Sequence, residues 1–182
     1  GTQSPDKPAD SILVHPDVRR MLLRMKANNE GGRAMAAWIA LNIDKSLKHA
    51  DPEVREQADD FVQLMTPIIK SYMTDAGSEA ANLGVQTMGG HGYIEEWGME
   101  QLVRDARIAQ IYEGTNGIQA LDLAGRKLGA HYGRYLRTFF HPVSTFIEEN
   151  AMNPDASEFV GDLAKSFGWL QQATGHIAQS DL

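Results

Sequence analysis

The sequence has 182 residues, 42% of them hydrophobic and 23% charged, a balance typical of one globular domain or two small ones. The 17 basic and 24 acidic residues give a formal net charge of −7, which argues against binding to nucleic acid or an anionic membrane. The absence of cysteine excludes disulfides and thiolate metal sites. No signal peptide and no stretch apolar enough to span a bilayer is recognisable, so we expect a cytoplasmic protein.

The hydrophobic pattern predicts helices and no strands. Residues 1–14 contain prolines and polar residues and are predicted to be a linker. Apolar residues at helical spacing predict a helix over 15–48, weakened but not broken by the glycines at 31–32. A second helix is predicted to start at Pro52, to kink at Pro67, and to stop at the glycine cluster that follows residue 88.

Shorter helices are predicted in the second half of the sequence. The spacing predicts an amphipathic helix over 99–108 and a longer one that Thr115 caps and that runs to about Leu136. Two more helices are predicted over 142–150 and 155–178. The predicted fold class is therefore all-α, with long antiparallel helices in a bundle.

The glycine cluster Gly89–Gly92 allows two interpretations. A dinucleotide-binding fingerprint is excluded, because the cluster follows a helix and no helix with a third glycine begins after it. The remaining interpretation from the residues alone is a helix C-cap. His91, Glu95 and Glu96 are too weak a set of ligands to predict a metal site.

Glu113 is the most informative acidic residue. It lies between the apolar pair Ile111-Tyr112 and Gly114, so its carboxylate can face a cleft of low dielectric and act as a base. The same position also fits an ordinary solvated glutamate at a helix end. Gly114 then serves only the turn, and Thr115 only caps the next helix.

Three segments resemble the C-terminal domain of the acyl-CoA dehydrogenases: QTMGGHGY at 86–93, RDARI at 104–108, and QIYEGTNGIQ at 110–119. The opening HPDVRRML at 15–22 and the long extension after Arg126 resemble a larger bacterial subgroup, which includes 3-methylmercaptopropionyl-CoA dehydrogenases. The resemblance implies a bundle domain over 15–137, with residues 138–182 as the start of a further C-terminal helical region.

This resemblance implies an enzyme that oxidises acyl-CoA to trans-2-enoyl-CoA with FAD as its cofactor. Glu113 matches the catalytic base, and Gly114 matches a position that contacts substrate. The positions that match FAD contacts form two groups, Gln86, Thr87, Met88, Gly89 and Gly90 in the first, which generally contacts the cofactor across a subunit interface, and Thr115, Asn116 and Gly117 in the second. Gly117 stands where many members have glutamine, so only a backbone contact to FAD is expected there.

The resemblance also implies partners. N-terminal and middle domains, absent from this sequence, supply much of the flavin pocket in the family, so we expect the isolated chain to hold little or no FAD and to be inactive. A homo-oligomer, dimer or tetramer, and an acceptor such as electron-transfer flavoprotein are implied. The alternative hypothesis is a non-catalytic helical module for oligomerisation or interaction.

Overall fold

A computed structural model describes residues 1–180, and all regular structure in that range is helical. This confirms the predicted all-α class. The α-helices are α1 (Pro16–Lys48), α2 (Pro52–Met88), α3 (Gly90–Tyr93), α4 (Met99–Ile108), α5 (Asn116–Asp122), α6 (Arg134–Asn150) and α7 (Ser157–Ala178). Within the described residues, no helix is both long enough and apolar enough to cross a membrane.

The two long helices begin where the sequence predicts. Helix α1 starts at a proline, which needs no backbone donor there, and it continues through both central glycines. Helix α2 starts after Asp51, whose carboxylate accepts a hydrogen bond of 2.9 Å from the backbone N–H of Glu53. It does not end at Pro67, which is fully buried, and it stops directly before Gly89.

The chain divides into two compact units, and the first comprises Gly1–Ala36 and Ser71–Asn116. Its parts of α1 and α2 run antiparallel, because Met21 contacts Thr87 at 3.9 Å whereas Arg24, later on α1, pairs with Glu79, earlier on α2, at 2.8 Å. Met21 and Ala81 are buried within this unit. These contacts hold the C-terminal part of α2, from which the following turns extend, against α1.

The second unit comprises Ala37–Lys70 and the chain from Gly117 onwards. The ring of Trp38 on α1 packs on that of Phe61 on α2, with centroids 4.5 Å apart. Helices α6 and α7 join through an edge-to-face contact of Phe140 with Phe167 at 5.2 Å. The buried apolar side chains of this unit include Ile39, Ala58, Phe61, Leu64, Met65, Pro67, Val160 and Phe167.

A buried acid on α2 fixes the start of α6. The guanidinium of Arg134 lies 2.6 Å from one carboxylate oxygen of Asp60, and it donates a hydrogen bond of 2.8 Å to the other. It also donates a hydrogen bond of 2.8 Å to Glu56. The Asp60 side chain is only 4% exposed, so it needs this partner, and its hydrogen bond raises the pKa of Arg134.

The prediction of one helix from Thr115 to Leu136 is wrong. Helix α5 ends at Asp122, a π-helical turn covers Leu123–Lys127, and a tight turn covers Ala130–Gly133. Glycines recur at positions 125, 129 and 133, and each lowers helix propensity by about 1 kcal/mol relative to alanine. The new helix α6 begins at Arg134, includes Pro142, and crosses the domain boundary predicted between residues 137 and 138.

Candidate functional site

The turn between α4 and α5 contains two successive left-handed residues. Glu113 has φ of 49° and Gly114 has φ of 89°. Glycine adopts this conformation without strain, whereas for glutamate it costs about 1–2 kcal/mol. A strained residue of this kind persists only where the surrounding structure holds it, so the contacts of the turn decide the position of Glu113.

The turn is closed on itself by two hydrogen bonds to the carbonyl of Gln110. The backbone N–H of Asn116 donates to this carbonyl at 3.1 Å, and the hydroxyl of Thr115 donates to it at 3.2 Å. Gln110 and Asn116 therefore mark the two ends of a small loop with Glu113 at its centre. Helix α5 begins at Asn116, directly after Thr115, as the sequence predicts.

Both ends of the loop are attached to helix α2. The side-chain amide of Gln110 donates to Asp75 at 2.6 Å, and that of Asn116 donates to the same oxygen at 2.7 Å. The Asn116 amide also exchanges hydrogen bonds with the hydroxyl of Thr74 at 3.1–3.2 Å. The Glu113 loop is thus fixed to the helix next to it by side chains that flank the acid.

The Glu113 side chain itself is exposed and forms no hydrogen bond or ion pair with other residues among 1–180. Its apolar neighbours Ile111 and Tyr112 are also exposed, at 51% and 52%, as is Ile108 at 49%. The low-dielectric surroundings expected from the sequence are therefore not supplied by this unit alone. The site therefore consists of a carboxylate that has no partner among residues 1–180, on a turn attached to α2. The apolar side chains beside it are exposed, and another surface can cover them.

The second group of predicted site residues follows the end of α2. Gln86 and Met88 are exposed, whereas the hydroxyl of Thr87 donates to the carbonyl of Leu83 at 2.8 Å within the helix. Gly89 has φ of 61°, which ends the helix as the C-cap interpretation predicts. A side chain at Gly89 or Gly90 would meet no atom within 4 Å, so the backbone there is open to a ligand.

Helix α2 connects the two groups. Gln86 follows Asp75 by eleven residues, which is close to three full turns, so both lie on nearly the same face about 16 Å apart. Within residues 1–180, no hydrogen bond joins the loop of Glu113 to the glycine segment, residues 86–90. The structure therefore brings together Glu113, Gly114, Thr115 and Asn116, and it places the segment from Gln86 to Gly90 separately. Gly117, on α5, is exposed.

Sequence reasoning missed Thr74 and Asp75. They are ordinary polar residues within a long helix, and they precede their partners Gln110 and Asn116 by 35 to 42 positions. No local motif marks such a contact. Neither do the described residues gather three or more potential metal ligands, and the ring of His91 instead packs edge-to-face on Trp97 at 5.4 Å.

The described residues thus form an all-α fold with a carboxylate on a glycine turn and a separate open glycine corner at residues 89–92. The sequence model of the family described as "Acyl-CoA dehydrogenase, C-terminal domain" matches residues 4–128. The chain belongs to this family. This confirms the resemblance noted from the three sequence segments.

Individual relatives agree with the family. The chain is 49% identical over 128 residues to 3-methylmercaptopropionyl-CoA dehydrogenase of Ruegeria pomeroyi. The aligned region covers 70% of the chain and 22% of that protein. It is 35% identical over 155 residues to butyryl-CoA dehydrogenase of Syntrophomonas wolfei, which covers 85% of the chain and 25% of the relative. A broad-specificity linear acyl-CoA dehydrogenase of Mycobacterium tuberculosis is 32% identical over 193 residues, covering all of the chain and 31% of the relative. The chain thus spans less than a third of the length of these curated relatives.

Proposed function

We propose that the chain is the base-bearing domain of an FAD-dependent acyl-CoA dehydrogenase, which converts acyl-CoA to trans-2-enoyl-CoA. The observation that carries this proposal is the carboxylate of Glu113, which has no hydrogen-bond partner among residues 1–180 and lies on a strained turn that hydrogen bonds attach to α2. The chain that holds this turn belongs to the acyl-CoA dehydrogenase family. A carboxylate with no internal partner is free to accept a proton from a ligand. Its apolar neighbours Ile111 and Tyr112 supply part of a surface that would exclude water from the reacting carbons.

In the proposed reaction, Glu113 removes a proton from C2 of the acyl thioester. The flavin, when bound, accepts the hydride that leaves C3. Because a proton beside a thioester is only weakly acidic, the developing negative charge on the thioester oxygen needs hydrogen-bond donors. We assign one of them to the backbone N–H of Glu113, and Gly114 leaves room for the acyl chain because it has no side chain.

The residues that would hold FAD fit a cofactor bound mainly through backbone. Gly89 and Gly90 expose open backbone, and the side chain of Gln86 is exposed beside them. The hydroxyls of Thr87 and Thr115 donate within the chain, so toward a cofactor they remain acceptors. We assign the remaining contacts to Met88, Asn116 and the backbone of Gly117.

The separation of the two groups along α2 supports an oligomer. The family resemblance puts the glycine segment against the cofactor of a neighbouring subunit, and a separation of about 16 Å along one helix suits contacts to different cofactors. Large apolar side chains near this segment are exposed, Tyr93 at 77%, Trp97 at 56% and Leu102 at 53%. We propose that a dimer or tetramer covers them, that the N-terminal and middle domains complete the pocket, and that electron-transfer flavoprotein reoxidises the flavin.

The proposal is tested by Glu113→Gln in the complete enzyme, with Glu96→Gln as the matched control. Both glutamates are exposed and unpaired within residues 1–180, but only Glu113 lies on the fastened turn. Turnover of acyl-CoA should be lost in Glu113→Gln and kept in Glu96→Gln, with the same flavin absorbance in both. Near-normal turnover of Glu113→Gln would remove this residue from the role of base.

The second candidate function is a helical interaction module without activity, and the exposed apolar side chains around α3 and α4 favour it. The same experiment distinguishes the two functions. A catalytic domain makes turnover depend on Glu113. If the chain is an interaction module, assembly depends on the apolar surface, and neither glutamate variant changes the turnover of acyl-CoA.

A further inference from the structure

We propose that Asp75 is a positioning residue that holds the loop of Glu113 in its reactive conformation. This inference rests on the proposed function, in which Glu113 is the base. Asp75 touches none of the reacting atoms in the proposed reaction. It acts through Gln110 and Asn116, the residues at the two ends of the loop.

Asp75 is the common hydrogen-bond acceptor for both ends of the loop. A single oxygen of Asp75 accepts the amides of Gln110 at 2.6 Å and Asn116 at 2.7 Å. The guanidinium of Arg107 donates to the other end of the Gln110 amide at 3.1 Å, which fixes the amide nitrogen toward Asp75. Hydrogen bonds to an ionised acceptor are about twice as strong as those between neutral groups, so Asp75 is a strong link between the loop and α2.

The strain at Glu113 explains why the loop needs this link. A glutamate with φ of 49° relaxes toward negative φ when its neighbours release it, and that change swings the side chain away. A displacement of about 1 Å of a reacting group costs about 100-fold in rate. Thr74 still holds Asn116 when Asp75 is removed, so we expect a partial loosening rather than unfolding of the loop.

A residue with a purely structural role would lower the stability or the flavin content of the enzyme when it is removed. Asp75 is exposed, and its removal leaves no cavity and no buried charge. Its loss should therefore leave folding, flavin content and substrate affinity unchanged while it slows the step that Glu113 performs. The readout must report proton transfer at C2 separately from hydride transfer.

The test compares Asp75→Ala, Asp75→Asn and the control Asp59→Ala in the complete flavoenzyme. Asp59 is likewise exposed on α2, and it makes no hydrogen bond or ion pair among residues 1–180. Exchange of the C2 hydrogen of butyryl-CoA with solvent deuterium, without an electron acceptor, reports proton transfer between C2 and the base, and flavin absorbance followed in the same sample reports hydride transfer. We expect exchange and kcat of Asp75→Ala to fall together by about 10- to 100-fold at unchanged KM. The asparagine variant should recover most of both, because its carbonyl oxygen accepts the same two amides.

Each outcome decides the matter. Wild-type exchange in Asp75→Ala overturns the inference, and so does a loss that Asp75→Asn fails to recover. If Asp75→Ala does not fold or loses flavin, Gln110→Met removes one of the two hydrogen bonds from the other side and should also slow exchange. Glu113→Gln is measured in parallel. If exchange persists in Glu113→Gln, the proposed function itself is refuted. If exchange is lost in Glu113→Gln but normal in Asp75→Ala, only the role of Asp75 is refuted.

Discussion

Replacing Gly92 with alanine tests whether the glycine corner is built by close packing. A Cβ at this position would lie 2.7 Å from the carbonyl oxygen of Val85, and 2.9 Å from both the Cα of Val85 and the Cβ of Met88. The first distance is about 0.6 Å shorter than the closest ordinary contact of carbon with a carbonyl oxygen. Because backbone atoms of α2 cannot rotate away as a side chain does, the end of the helix must move.

The expected cost follows from this clash. Inserting a methyl group into a packed region destabilises by about 1–3 kcal/mol. Alanine recovers up to about 1 kcal/mol because it restricts the unfolded chain more than glycine does. We expect a net loss of about 1–2 kcal/mol, which lowers the melting temperature of a chain of this size by about 2–8 °C.

Thermal unfolding followed by circular dichroism of the 182-residue chain measures this effect, with two matched controls. Gly90→Ala adds its methyl group where no atom lies within 4 Å, so it should melt at or slightly above the wild-type temperature. Gly84→Ala meets only the end of the Met99 side chain, at 2.6 Å, and this flexible group can turn aside. If Gly92→Ala melts at the same temperature as Gly90→Ala, the close approach to Val85 does not limit this corner.

Three further outcomes are expected. The isolated chain, incubated with FAD and desalted, should show little flavin absorbance, because the family's middle domain is absent from it; a stoichiometric flavin band contradicts this expectation. In the complete enzyme, Gly90→Ala should weaken FAD binding without lowering stability, because the methyl group occupies open backbone surface; unchanged FAD affinity, measured by flavin fluorescence, argues against a contact there. Arg134→Met should lower the melting temperature by several degrees, because it leaves the buried Asp60 without its partner, whereas Arg126→Met breaks only an exposed ion pair and should change little; equal melting temperatures for the two variants would show that the buried pair does not stabilise the fold.

The elements with local signals could be predicted from the sequence. Pro16 and the Asp51-Pro52 pair mark helix starts through the chemistry of these residues, and the sequence predicts the amphipathic helix 99–108 with the bounds that the structure shows. The glycine corner after Met88 was predicted for the same reason, since glycine alone adopts left-handed φ readily. Such signals lie within a few residues of the feature that they determine.

The features that depend on distant residues could not be predicted. The apolar pattern continues at helical spacing from Ile118 to Leu136, but the start of α6 is set by Arg134 and its partners on α2, which precede it by 74 and 78 positions. The attachment of the Glu113 loop to Asp75 is likewise a contact between distant parts of the sequence. The sequence pointed to Glu113 through its neighbours, and the resemblance supplied its proposed role, but neither indicated what holds the loop.

The eleven-residue interval between Asp75 and Gln86 works as a spacer of fixed length. Inserting or deleting one residue there would shift everything beyond it by about 1.5 Å and rotate it by about 100° around the helix axis. The glycine corner would then point away from the face that carries the glutamate loop. Substitutions at the exposed positions of this stretch are tolerable, but a change in its length is not, so natural variants of the domain should differ there in composition and not in number.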